Sequence, residues 1–189
     1  PSPSAPPFHL FFSADMDYPK KLEEKKLTAS KTKMYATGKL VIWSKKTDPN
    51  KSKMNSLLSL DIRKIAIGNP VTAPYGEKAV ESLKFYKIYD KLKSKLVFGE
   101  NITQATQFIT TGNADIGITA LSLVLTPNMK KEGGKYYIIP TNSHSALEQG
   151  CVILKNAKGN PSALKFYNFI SSKKAPAIFK YYGYDTQTK

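Results

Sequence analysis

The chain has 189 residues, with 29 Lys+Arg against 14 Asp+Glu, for a formal charge of +15. A hydrophobic share of 41% and a charged share of 23% exclude global disorder. No apolar run approaches the roughly 20 residues needed to cross a bilayer as a helix.

The opening Pro1-Ser2-Pro3-Ser4-Ala5-Pro6-Pro7 reads as an irregular lead-in. It carries neither a start Met nor a signal peptide, the form of a mature, trimmed or truncated chain. Phe8 to Ala14 is a continuous apolar run of strand length. Pro19 to Leu27 reads as a short charged helix anchored by Leu22 and Leu27. Lys39 to Ser44 reads as a second strand, Asp48 to Ser52 as a loop, and Leu57 to Leu60 as the approach to a strand at Lys64 to Gly68.

The turn-rich run Gly68-Asn69-Pro70-Val71-Thr72-Ala73-Pro74-Tyr75-Gly76 follows that strand and opens a helix expected from Glu77 to Leu92. Ala79, Leu83 and Tyr86 lie on its successive turns. The pattern then repeats. Lys95 to Phe98 is a strand, and Asn101 with Gln104 fits a capping box for a helix from Ile102 to Thr111, stopped by Gly112-Asn113. Ala114 to Thr119 is a strand and Leu121 to Leu125 a helical turn. Tyr136 to Ile139 and Gly150 to Lys155 are strands. Helices are expected over Ala163 to Ser171, with Pro161 at the start, and over Ala175 to Tyr182, with Gly183 as the stop. Strands alternating with helices predict an α/β fold with a parallel or mixed sheet.

The chemistry concentrates at the two strand-loop-helix junctions. A helix N-terminus carries unpaired N–H groups and about half a positive charge. Tyr75 and Gly76 in one loop, and Ile102 and Thr103 in the other, are the expected backbone donors. Two such mouths converging at the carboxyl ends of strands form an oxyanion site without any charged side chain. The loops lack GxGxxG, GxxxxGK[ST] and GxSxG, which removes dinucleotide, P-loop and nucleophile-elbow readings.

Other features read plainly. Cys151 is the single cysteine, set among Val152, Ile153 and Leu154 as a small buried hydrophobe. His9 and His144 have no Cys or carboxylate at metal-ligand spacing, so no metal site is expected. Ser143-His144 reads as a polar hinge loop rather than a catalytic pair. The tyrosine runs at 136–137 and 181–184 read as strand pairing and helix-end packing. Arg63 is the only arginine; every other basic residue is lysine, scattered from Lys20 to Lys189 in pairs rather than a block. A solvated lysine surface is the reading preferred. The alternative is a lysine-rich binder of nucleic acid or anionic surfaces, and an arginine-poor chain suits nucleic acid badly.

Several runs, in order, resemble the ModA-type periplasmic molybdate-binding proteins, substrate-binding subunits of ABC transporters. They are Phe11-Phe12-Ser13-Ala14-Asp15 with Met16-Asp17-Tyr18-Pro19; Ala36 to Val41; Ile67 to Pro70 with Ala73 to Gly76; Gly99 to Ile102; Ala114 to Ser122; Ser143-His144; and Ile178 to Tyr184. The resemblance implies a two-lobed protein of the periplasmic type II fold. Residues 39–139 would form an inner lobe, and residues 1–38 and 140–189 a discontinuous outer lobe, with the oxyanion between them. It implies molybdate or tungstate as ligand, no cofactor, no catalysis, a membrane permease as partner and a periplasmic location. Tyr75 and Ile102 match the family's ligand positions, each through its backbone N–H. Part of the family adds a Tyr hydroxyl at the position of Ala120, which has none. Roughly 50 residues precede the Ser13-Ala14-Asp15 position in the family; without them a sheet edge stands exposed, a route to association or swapping. Those residues also supply two loops whose hydroxyl and amide groups hold the anion. At roughly 1.5–3 kcal/mol per charge-assisted bond, their absence implies weak or no molybdate binding by the 189 residues alone.

Overall fold

The structure, a computed structural model, describes residues 8–186. The lead-in at 1–7 lies outside the described residues. In chain order the elements begin with β1 (Leu10–Ser13), α1 (Asp17–Glu24), β2 (Lys33–Gly38), β3 (Leu40–Ser44), α2 (Pro49–Ser52) and β4 (Ile65–Gly68). The middle holds α3 (Pro74–Phe85), α4 (Tyr89–Leu92), β5 (Leu96–Gly99), α5 (Ile102–Thr110), β6 (Ile116–Ala120) and α6 (Leu121–Val124). The last are α7 (Pro127–Glu132), β7 (Lys135–Ile138), β8 (Leu147–Ile153), α8 (Pro161–Phe169) and α9 (Ala175–Tyr181). The chain is α/β with two sheets, and it divides into two compact units.

Unit 1 comprises Pro1–Thr37, Glu148–Tyr181 and Asp185–Lys189. Its sheet has the order β1-β8-β2, with β1 antiparallel to β8 and Phe12 opposite Cys151. Cys151, Ile153, Ala163, Tyr167 and Ile170 form its core, and Leu10, Tyr35 and Phe179 pack against them. Burial pushes the Cys151 thiol up to about 11, against the opposing pull of the Lys33 charge. The thiol is therefore protonated and unreactive at neutral pH. Lys33 in turn sits over the Tyr167 ring at 3.7 Å and donates to the Tyr167 carbonyl at 3.2 Å.

Unit 2 comprises Gly38–Leu147 and Tyr182–Tyr184. Its sheet order is β5-β4-β6-β3-β7. β4 runs parallel to both β5 and β6, and β3 is antiparallel to β6 and β7. All five residues of β3 are buried, as are all of β4 and β6. Unbroken apolar runs are what central strands covered on both faces require. Val41, Trp43, Ala66, Ala105, Ile109, Leu121 and Val124 form one cluster of this core.

Asp115 closes the start of β6. Its carboxylate accepts from the backbone N–H groups of Arg63 and Lys64 at 3.0 Å each and from Lys46 Nζ at 2.7 Å. The Lys46 hydrogen bond, joined by the two N–H donors, outweighs burial and holds the carboxyl down at about 2. A folded value below the ordinary 3.8 means that the unfolded chain binds the proton more readily. The carboxylate's contribution is therefore complete above about pH 4 and is lost as pH falls toward 2. The stability difference between wild type and Asp115→Asn should shrink by ~1–2 kcal/mol between pH 5 and pH 2. Melts of both proteins across that range check it, and parallel profiles would contradict it.

Four local expectations need correction. The helix expected from Glu77 to Leu92 begins earlier, at Pro74, and breaks into α3 and α4. The break is at Lys87, which takes φ +57° while its N–H bonds to Lys84 O and the Ile88 N–H bonds to Leu83 O. Asp48 to Ser52 is a helical turn rather than a loop, with Asp48 capping through the Asn50 N–H. β2 and α7 were not expected. The charged helix at the front spans Asp17–Glu24 and leaves Leu27 outside.

Candidate functional site

Both junctions singled out in the sequence lie in unit 2, at the carboxyl ends of β4 and β5. The parallel register sets Gly68 beside Gly99. The Asn69 N–H donates to the Gly99 carbonyl at 2.7 Å, and the Thr72 hydroxyl donates to the Glu100 carbonyl at 3.1 Å. Register and these two bonds hold the loops side by side.

The first loop is closed on itself. The Asn69 carbonyl accepts the N–H groups of Thr72 and Ala73, and its side chain accepts that of Val71 at 3.0 Å. Pro74 then occupies the first helical position, where its missing N–H costs nothing. Tyr75 follows as the second residue of α3, buried at 4% exposure. Gly76 behaves differently from expectation: its N–H is used by the Ala73 carbonyl at 2.8 Å, so it is no ligand donor. Its role is steric. A Cβ at Gly76 would stand 2.1 Å from the Gly68 carbonyl oxygen. Only a residue without a side chain lets the first turn of α3 rest on the strand end.

The second loop has the same logic. A Cβ at Gly99 would stand 2.5 Å from the Ala105 nitrogen. Asn101 caps α5 by accepting the Gln104 N–H at 2.9 Å. The reciprocal partner differs from a standard capping box, since Gln104 Oε1 accepts from the Glu100 N–H at 2.6 Å. Ile102 and Thr103 are then the first two helical residues. Their N–H groups have no protein acceptor among the described residues. Below them, Thr106 donates its hydroxyl to the Ile102 carbonyl at 2.8 Å. Its proton being so committed, Thr106 accepts from Thr119 of β6. The mouth of α5 is thus braced by the neighbouring strand, a link between Thr106 and Thr119 that only the tertiary structure reveals.

The electrostatics come from the helix ends. Residues 68–76 and 99–104 contain no Lys or Arg. Glu77 in the first turn of α3 is paired with Lys78 at 3.1 Å, which also holds Glu81 at 2.8 Å. Burial alone would lower the Lys78 pKa, but these two carboxylates outweigh it and raise it. Ala120, at the end of β6, is 1% exposed and brings no hydroxyl.

Ser143 and His144 form no catalytic pair. The Ser143 hydroxyl donates to the Pro140 carbonyl at 2.7 Å and lies 2.9 Å from the Ser82 hydroxyl. His144 Nδ1 lies 2.8 Å from the Ser145 carbonyl, which can only accept from it. Ser145 binds the Glu81 carboxylate through both its N–H and its hydroxyl, at 2.7 and 2.8 Å. The segment is a brace on α3. Among the described residues no group of three or more His, Cys, Asp or Glu side chains is placed to hold a metal ion.

Known proteins share this plan. The bacterial extracellular solute-binding protein family matches residues 3–185. The molybdate-binding protein ModA of Rhodobacter capsulatus is 37% identical over 183 residues, 96% of this chain and 70% of that protein. ModA of Azotobacter vinelandii is 38% identical over 182 residues, 96% of this chain and 72% of that protein. The solved periplasmic molybdate-binding protein of Azotobacter vinelandii superposes with a TM-score of 0.85 at 31% identity, covering 97% of this chain and 80% of that one.

Proposed function

The chain belongs to the bacterial extracellular solute-binding protein family, among the ModA-type molybdate-binding proteins, and on that premise we propose that it captures a tetrahedral oxyanion, molybdate or tungstate, for delivery to the membrane permease of an ABC transporter. The observation that carries this reading is the pair of glycine-seated helix mouths on adjacent parallel strands, with no cationic side chain in either loop. Backbone N–H groups of Tyr75 and Ile102 supply the bonds, and the two helix dipoles supply the field. Neutral donors suit a dianion that must be released as well as held. Membership of a solute-binding family supports a binder rather than an enzyme. The protein needs no cofactor, works in the periplasm and has no nucleic-acid partner in this reading. The relatives' named ligand supports molybdate ahead of other oxyanions.

A thermal-shift series tests the reading. Molybdate, tungstate, sulfate and phosphate are each added at 10 mM, so that even a modest affinity registers: a ligand at 100 times its Kd stabilises by about 2.7 kcal/mol. Molybdate and tungstate should raise the melting temperature by several degrees more than sulfate or phosphate. Equal measurable shifts from all four, or no shift in the full-length protein, would overturn the proposal.

A further inference from the structure

The parallel strands of unit 2 have a second end, away from the ligand loops. There the register pairs Ile65 with Leu96, so the residues just before them, Arg63-Lys64 and Lys93-Ser94-Lys95, emerge side by side. α3 begins at the ligand loop and runs 12 residues, roughly 18 Å, back to this end. The turn at Lys87 and the short α4 follow it. Lysines at 84, 87, 91, 93 and 95 share this stretch with one carboxylate, Asp90. The scattered lysines of the sequence are here a block.

Its charge is not neutralised. On the β3 and β7 side of the sheet the lysines are matched: Lys45 to Glu132 at 2.8 Å, Lys46 to Asp115 at 2.7 Å, Lys135 to Asp48 at 3.2 Å. On the β4 and β5 side Lys93 reaches Asp90 at 3.4 Å. The side-chain cations of Arg63, Lys64, Lys84, Lys87, Lys91 and Lys95 make no ion pair within 4 Å among the described residues, and the Asp115 carboxylate beside residues 63–64 is taken up by their backbone N–H groups and Lys46. Two apolar tips stand among them. Leu60 is 95% exposed, on a turn closed by the Ile62 N–H to the Ser59 carbonyl, and Phe85 is 55% exposed at the end of α3. Ile88 and Leu92, at 6% and 1%, fasten the segment from beneath, so the tips are presented on a fixed base.

We propose that this end of unit 2 docks on an anionic lipid surface, with Leu60 and Phe85 entering the headgroup layer and the six cations that lack an ion pair meeting the headgroup phosphates. Lysine suits a diffuse negative surface potential, whereas sequence-reading of nucleic acid favours the bidentate arginine fork. Leu60 has no ring to stack on a base, and Phe85 is engaged edge-on with Tyr86 at 5.2 Å. The docked face is at the opposite end of β4 and β5 from the ligand loops, so it leaves them open. The inference is independent of which solute the protein carries.

Co-sedimentation with vesicles tests it. The protein should pellet with phosphatidylcholine vesicles containing about one third phosphatidylglycerol, and not with phosphatidylcholine alone. Lys87→Glu/Lys91→Glu should lower the partition constant about tenfold or more. Leu60→Ser/Phe85→Ser should lower it comparably with no change in charge. Lys173→Glu/Lys174→Glu, the same charge change on exposed lysines of unit 1, should leave it within about threefold. Melting temperatures equal to wild type show that each variant is folded. An equal loss in the Lys173/Lys174 control would reduce the effect to net charge and overturn the proposal. So would equal binding to neutral vesicles, or release from the anionic vesicles by duplex DNA at matched phosphate.

Discussion

Gly76→Ala should destabilise unit 2 by ~3 kcal/mol, a fall of roughly 6 °C or more in melting temperature for a chain of this size. The added Cβ would meet the Gly68 carbonyl oxygen at 2.1 Å, its carbon at 2.5 Å and the Asn69 carbonyl carbon at 2.9 Å. All three are backbone atoms, and no rotamer change moves them aside. Relief requires lifting the first turn of α3 off the strand, which breaks the turn that presents Tyr75. Two neighbours grade the effect. Gly99→Ala, with contacts of 2.5 and 2.9 Å to the Ala105 backbone, should cost nearly as much. Gly68→Ala, whose nearest contact is the Ala73 Cβ at 3.1 Å, should cost only ~1 kcal/mol. Trp43 is the single tryptophan, 1% exposed in the core of the same unit, so its fluorescence reports the transition directly. Equal stabilities across the three variants would contradict the steric account.

The second large effect concerns one hydrogen atom. Ile102 is the first helical residue of α5, the position that accepts proline best. Asn101 before it has φ −144° and ψ 173°, extended geometry that a following proline requires. Ile102→Pro therefore removes the N–H while keeping the cap, the helix and the Ile102 carbonyl that Thr106 uses. Ile102→Ala removes the side chain and keeps the N–H. The pair separates the proposed backbone donor from every other property of the residue.

What the sequence disclosed and what it hid follow from the range of the forces involved. The junctions were legible because their determinants are local: Gly68, Pro74, Gly99 and Asn101 shape the backbone within a few residues of themselves. The α/β class was legible for the same reason, from unbroken apolar runs such as Leu40 to Trp43. The break of the long helix was not, because Lys87 adopts a left-handed conformation that its residue type disfavours. Tertiary packing of Ile88 and Leu92 imposes it. β2 escaped because Lys33 to Gly38 is only partly buried and carries no clean alternation. α7 escaped because Pro127 to Glu132 has a single apolar residue, Met129. The use of the Gly76 N–H by Ala73, the Thr119–Thr106 brace and the three bonds to Asp115 join residues through the fold. The basic end of unit 2 is of that kind too, since strand register alone brings residues 63–64 to residues 93–95.

The central claim is that an oxyanion is held by backbone N–H groups at these two helix mouths. The measurement that meets it most directly is a calorimetric titration of molybdate into the full-length protein with the wild-type sequence, Ile102→Ala or Ile102→Pro. A charge-assisted hydrogen bond contributes roughly 1.5–3 kcal/mol, and 1.4 kcal/mol is tenfold in affinity. Ile102→Ala should bind within about threefold of wild type. Ile102→Pro, with an unchanged melting temperature, should bind at least about tenfold more weakly. Wild-type affinity in folded Ile102→Pro would contradict the account.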